Sequence, residues 1–204
     1  MRRWLKITLT VMIVMGVVAC TPPVKGATGF SVDTEGHPII VLAWCDGATP
    51  DGVIIYHDEP YSSAPAASTT GRRSATPSIE PSTRIVDDAR FIASDLDGQS
   101  ASVRLDAPAD GWRADPGPVV LKPGITYTAF GFQGRGNSQV NTGHVSFRAA
   151  DLAKLKPGQV LVQQGESVPL KTPDVNGVDS EIVFADKVIS RERFDREGQD
   201  PTYC

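Results

Sequence analysis

Short apolar runs broken by glycine, proline, aspartate and asparagine recur along this chain from residue 30 onward. They are rich in Val, Ile, Tyr and Phe and bounded by turn formers, which is the pattern of strands joined by turns. The clearest lie at residues 30–33, 38–45, 52–57, 102–105, 125–132, 144–147, 160–163 and 181–189. One segment reads as helical, residues 149–155, where Asp151 is placed to cap and Leu152 and Leu155 share a face. Many short strands with almost no helix predict an all-β fold, a sandwich or a barrel.

Two segments break this pattern. Residues 59–81 are dominated by Ser, Thr, Ala and Pro, with Arg72 and Arg73 and only Tyr61 and Ile79 as large apolar residues. Such a composition buries too little surface to offset the entropy of ordering it, so a long mobile loop between two strands is expected, and in an exported chain it is a candidate for O-linked sugar. At the start, Arg2, Arg3 and Lys6 precede an apolar run over residues 7–18 that ends at Val17-Val18-Ala19-Cys20. A basic segment, a short apolar run and a small-residue cleavage site form a secretory signal, and the run is shorter than the roughly 17–25 residues that cross a bilayer. The site resembles the lipobox of bacterial lipoproteins. That resemblance implies a signal peptide over residues 1–19, cleavage before Cys20, a diacylglyceryl group on its thiol and attachment to the outer face of a cell membrane. Residues 20–28 then read as a lipidated spacer, and residues 29–204 as the folded domain.

Charge narrows the partners. The chain carries 20 Lys and Arg against 24 Asp and Glu, and loss of the three signal-segment cations leaves 17 against 24, a net charge of −7. An acidic surface repels nucleic acid and anionic lipid. Outside the cytoplasm cysteines tend to pair, and with Cys20 lipidated only Cys45 and Cys204 remain for a disulfide. That bond would close a loop of roughly 160 residues, worth roughly 5 kcal/mol on chain-entropy grounds.

The stretch Leu121-Lys-Pro-Gly124-Ile-Thr-Tyr127 resembles the turn and following strand of fibronectin type III and related immunoglobulin-like domains. In those domains an early strand tyrosine turns its hydroxyl back onto the preceding turn, the tyrosine corner. The resemblance therefore implies an immunoglobulin-like β-sandwich in which Leu121, Gly124 and Tyr127 form that corner, and Trp44 packs in the core. Residues 149–204 exceed such a domain and either complete the sandwich or form a C-terminal extension beside it. As a whole the chain is similar to uncharacterised lipoproteins of actinobacteria.

Motifs that carry chemistry are sparse. The sequence contains no nucleophile elbow, P-loop, HExxH or CxxC. His37, His57 and His144 are far apart in sequence and read as surface or structural groups, so no metal and no cofactor is expected. His57 stands beside Asp58 and Glu59, but neighbours along a strand do not make a dyad. Asp95-Leu-Asp97-Gly98 begins like a calcium loop yet has Asp106 where a bidentate Glu is required, which reads as a solvated acidic turn. The glycine-rich loop over residues 133–143 lies between two strands, and loops at one end of a sandwich are its usual binding surface. Arg135, Asn137 and Asn141, with Trp112 in a turn-like stretch, are the candidate contacts.

The expectation is a non-enzymatic, membrane-anchored protein-interaction or envelope-binding module, with an envelope protein or glycan as its partner. The alternative is a small-ligand or carbohydrate binder using the 133–143 loop and Trp112.

Overall fold

The structure is a computed structural model that describes residues 22–60, 83–134, 139–169, 180–200 and 204. The signal segment, Cys20, all but the first two residues of the 59–81 loop, Arg135 and Asn137 lie outside the described residues.

The chain folds as an all-β sandwich. Its strands are β1 (Gly26–Val32), β2 (Pro38–Trp44), β3 (Gly52–Pro60), β4 (Thr83–Ala93), β5 (Ser100–Arg104), β6 (Trp112–Asp115), β7 (Thr126–Gln133), β8 (Val140–Asn141), β9 (Val145–Arg148), β10 (Gln159–Pro169) and β11 (Ser180–Ser190). A helix, α1 (Arg191–Gly198), follows β11. One sheet has the order β11-β10-β1-β2-β5 and the other β6-β4-β3-β7-β8, with β9 also paired to β7. The named strand pairs are antiparallel.

Side-chain alternation builds the core. On β2, Ile40, Leu42 and Trp44 point between the sheets, whereas Val41 and Ala43 point outward into a second apolar cluster with Val160, Val162, Ile189 and Phe194. A strand buried on both faces reads as one continuous apolar run, as Pro38–Trp44 does. From the opposite sheet Val53, Ile55, Phe91 and Tyr127 complete the inner core, where the rings of Phe30 and Phe147 stack at 4.2 Å.

The second cluster exists because α1 covers the outer face of the β1–β2–β10 sheet. Phe194 is its one large buried side chain, and the rest of the helix is charged, so no apolar stripe announced it. Its eight residues are held by the Ser190 hydroxyl, which accepts the Arg193 N–H at 3.2 Å, and by the Arg191–Asp195 and Arg193–Glu197 pairs one turn apart. Close approach demands small residues beneath it. A Cβ on Gly198 would lie 2.6 Å from that of Ala43, and one on Gly29 would lie 2.2 Å from Val160 Cγ1.

Several expectations are corrected. The spacer ends before residue 26, because Gly26-Ala27-Thr28 belong to β1. These small residues meet other elements: Gly26 lies against Ala43 and Trp44, Ala27 against Gly198 of α1, and the Thr28 hydroxyl against that of Thr142. Residues 149–204 complete the sandwich: β10 pairs with β1 and β11 extends the sheet. The 149–155 segment is a 3₁₀ helix, Ala149–Lys154, in which Asp151 accepts the Arg148 N–H at 2.8 Å. Glu59 and Pro60 extend β3, so the loop starts after them. β4 was not legible because a bulge interrupts its alternation, and β6 because it is only four residues long.

Candidate functional site

Trp112 starts β6, is 8 % exposed and belongs to the inner core, so it presents no aromatic platform. Asn141 sits on β8 at the opposite edge of the same sheet, with β4, β3 and β7 between. Trp112 and Asn141, the two candidate contacts among the described residues, therefore do not meet. Asn141 is occupied internally: its side-chain oxygen accepts Gln139 Nε2–H at 2.8 Å and its backbone pairs with Pro23 and Lys25. Beyond it Thr142 is buried, and its hydroxyl oxygen accepts the Gly131 N–H at 2.7 Å.

Tyr127 is 2 % exposed and its hydroxyl oxygen accepts the Lys122 N–H at 3.0 Å. Leu121 packs against the inner core, and Gly124 takes a φ of +81°, which the turn requires. Cys45 and Cys204 are bonded, with Cα atoms 5.8 Å apart across a sequence separation of 159. The bond ties the chain beyond α1 to the end of β2.

His57 gathers the carboxylates that sequence neighbours alone did not explain. The β3–β4 register pairs Ile55 with Ala89 but Tyr56 with Asp87, so Asp88 is the extra residue of a bulge. The bulge turns Asp88 toward His57, whose Nδ1 donates to Oδ2 at 2.7 Å. On the other side Nε2 lies 3.4 Å from Glu59 Oε1, and Glu59 in turn accepts from Arg84 at 2.8 Å. The bond to Asp88 raises the His57 pKa, partly opposed by burial. Arg84, and then His57, hold Glu59 below the ordinary carboxylate range. Both ring nitrogens face carboxylates, and the contact to Asp88 links β3 to β4. The sequence carried no signal for Asp88 or Arg84, since both depend on the register across the β3–β4 hairpin.

A second titratable group lies in the β1–β2 turn, where ligand atoms of Asp33, Glu35 and His37 fall within 4.8 Å of one another. Asp33 Oδ1 accepts the backbone N–H groups of Glu35 and His37, each at 2.9 Å, and Oδ2 faces His37 Nδ1 at 3.1 Å. These bonds shape the turn. Asp95 and Asp97 are exposed, and Asp88 turns to His57 instead of joining them.

An opening lies where β1 and β10 part. The two strands pair at Phe30–Leu161 and Ser31–Val160. Above that point the chain preceding β1 crosses to the other sheet, where Val24 bridges Asn141 and Gly26 accepts the Gly143 N–H at 3.0 Å. Gly26 makes this switch at a φ of +122°, and a Cβ there would strike the Ala43 carbonyl oxygen. β10 runs on past the switch with β11 on one side and a cleft of about 710 Å³ on the other. Gly26, Ala27 and Thr28 form one wall, residues 162–165 the opposite wall, and Phe194, Arg193 and Glu197 of α1 one flank. A strand edge bordering an open cleft can take an added extended segment through backbone hydrogen bonds.

No protein-family model, curated protein or solved structure matches this chain.

Proposed function

We propose that this chain is an exported, lipid-anchored binding module that takes an extended peptide segment of an envelope protein into the cleft between β1 and β10. The observation that carries the reading is the divergence of these strands, which leaves β10 bordering a cleft rather than a neighbour over residues 162–165. Backbone groups on such an edge supply affinity, while the polar Gln164 and Arg193 beside it select side chains.

Export and anchoring rest on the basic and apolar signal segment that ends at Cys20. The Cys45–Cys204 bond supports an oxidising compartment. The cleft lies beside the start of the described chain, because Val24 lines it. The immunoglobulin-like reading of the sandwich draws support from the Tyr127–Lys122 hydrogen bond. His57 and its carboxylates serve as a structural clamp in this reading, and the module is not an enzyme.

The test is site-specific photo-cross-linking in intact envelopes. A benzophenone side chain at Gln164 should capture one dominant protein, and the Cys20→Ala chain should lose it. The same probe at exposed Val120, remote from the cleft in sequence and not among its lining residues, is the control. Equal capture from both positions, or none from Gln164, would remove the cleft from consideration.

A further inference from the structure

β11 is the outermost strand of its sheet, and among the described residues one of its edges faces no other strand. Ile182, Phe184 and Val188 share its face with Asp186, and this face continues that of Leu161 in the inner core. They are 70 %, 61 % and 49 % exposed. An open strand edge beside exposed apolar side chains is a template for another strand.

We propose that the occupant is β11 of a second copy of this chain, paired antiparallel about a two-fold axis at Phe184. In this register Phe184 faces the partner's Phe184, Val183 faces the partner's Ala185, Ile182 faces the partner's Asp186 and Glu181 faces the partner's Lys187. The symmetry makes the Glu181–Lys187 contact twice, and no like charges oppose each other over residues 180–188. Neighbouring registers lose the Glu181–Lys187 contact. A slip of one residue turns the apolar face of one copy over, and in one direction sets Glu181 against Asp186. A slip of two sets Phe184 against Asp186 and Val183 against Lys187 in one direction; in the other Ile182 faces Phe184 and Val183 faces its own counterpart, but Glu181 faces Ala185. Lys187 already holds Glu166 within its own chain at 2.7 Å, so the pairing places its ammonium between two carboxylates. The outer edge of β11 is distinct from the edge of β10 that borders the cleft, although the Phe184 ring lies 6.2 Å from that of His144, which lines the cleft.

The test uses the full-length chain in membranes, oxidised and run on a non-reducing gel against the unsubstituted chain. Directly opposed Cα atoms lie about 4.5–5.5 Å apart, within disulfide reach, whereas residues offset by two lie about 7–8 Å apart. Phe184→Cys should therefore form a covalent dimer at least about tenfold more efficiently than Val183→Cys, and a mixture of Val183→Cys and Ala185→Cys chains should recover it. Adding Glu181→Lys to Phe184→Cys should lower the dimer about fivefold or more, and the further Lys187→Glu exchange should restore it. No dimer at residue 184, or equal dimer at 183, overturns the proposal. So does a monomer whose Cys20→Ala form floats with phosphatidylcholine vesicles, which would assign the apolar stripe to a lipid surface.

Discussion

Asp88 Oδ2 lies 2.7 Å from Nδ1 of His57, across a strand pair whose register shifts by one residue to bring them together. His57 is 7 % exposed, so the pair is shielded on the imidazole side. A histidine whose pKa is raised on folding contributes stability that is fully present below its unfolded value near 6.5 and is lost as pH rises through the folded value. The chain should be more stable relative to Asp88→Asn at pH 5.5 than at pH 8.5. The difference at the lower pH should be about 1.5–3 kcal/mol, the range for a hydrogen bond to a charged group. Urea unfolding of both chains at the two pH values measures it, and a difference that grows with pH would contradict the assignment of His57 as the charged partner.

Removing the Tyr127 hydroxyl leaves the Lys122 N–H without its acceptor while the ring stays in the core. Tyr127→Phe should cost about 1–2 kcal/mol, with an unchanged urea dependence because the surface exposed on unfolding is the same. A loss below a few tenths would mean that water replaces the hydroxyl at the turn.

The Cys45–Cys204 bond is the covalent tie that follows α1, and α1 in turn seals the outer cluster. Cys204→Ser should cost about 2–5 kcal/mol in denaturant unfolding. It should also accelerate amide exchange in α1 more than in β3 or β7, because the helix loses its nearest anchor. Uniform acceleration across the sandwich would show that the bond acts on the unfolded chain alone.

What was legible in the sequence follows the distance over which each feature is determined. The Leu121–Tyr127 corner is set within seven residues, and strands such as Pro38–Trp44 carry their own apolar run. The Cys45–Cys204 pairing was legible because, with Cys20 read as a lipidation site, the count left two thiols. The His57–Asp88 contact was hidden because it depends on a bulge, and a bulge inverts the alternation that marks a strand. α1 was hidden because Phe194 alone does the work of an apolar face. The cleft between β1 and β10 depends on where the chain crosses between sheets, which no local pattern encodes. The small residues of β1 looked like a linker for a related reason: the groups that require them come from other elements, Ala43 and Trp44 of β2 against Gly26, and Val160 of β10 and Phe194 of α1 against Gly29.

Gly29 shows how such a requirement can be tested. Its side of β1 faces Val160, Phe194 and Val41, and an added Cβ would stand 2.2, 3.1 and 3.1 Å from their nearest atoms. Gly29→Ala should therefore be destabilising by about 1–3 kcal/mol, as overpacking of a filled core is, even though alanine is better than glycine in a strand. Val160→Ala removes the Cγ1 that the new methyl meets and is itself destabilising, because it opens a void beside Phe194. The two changes act on one volume, so the double substitution should be less damaging than the two losses added together, by about 0.5–3 kcal/mol. Unfolding of the four chains closes this cycle. Additive losses would mean that β1 shifts away from β10 to make room, and that the outer cluster is held less tightly than its close contacts imply.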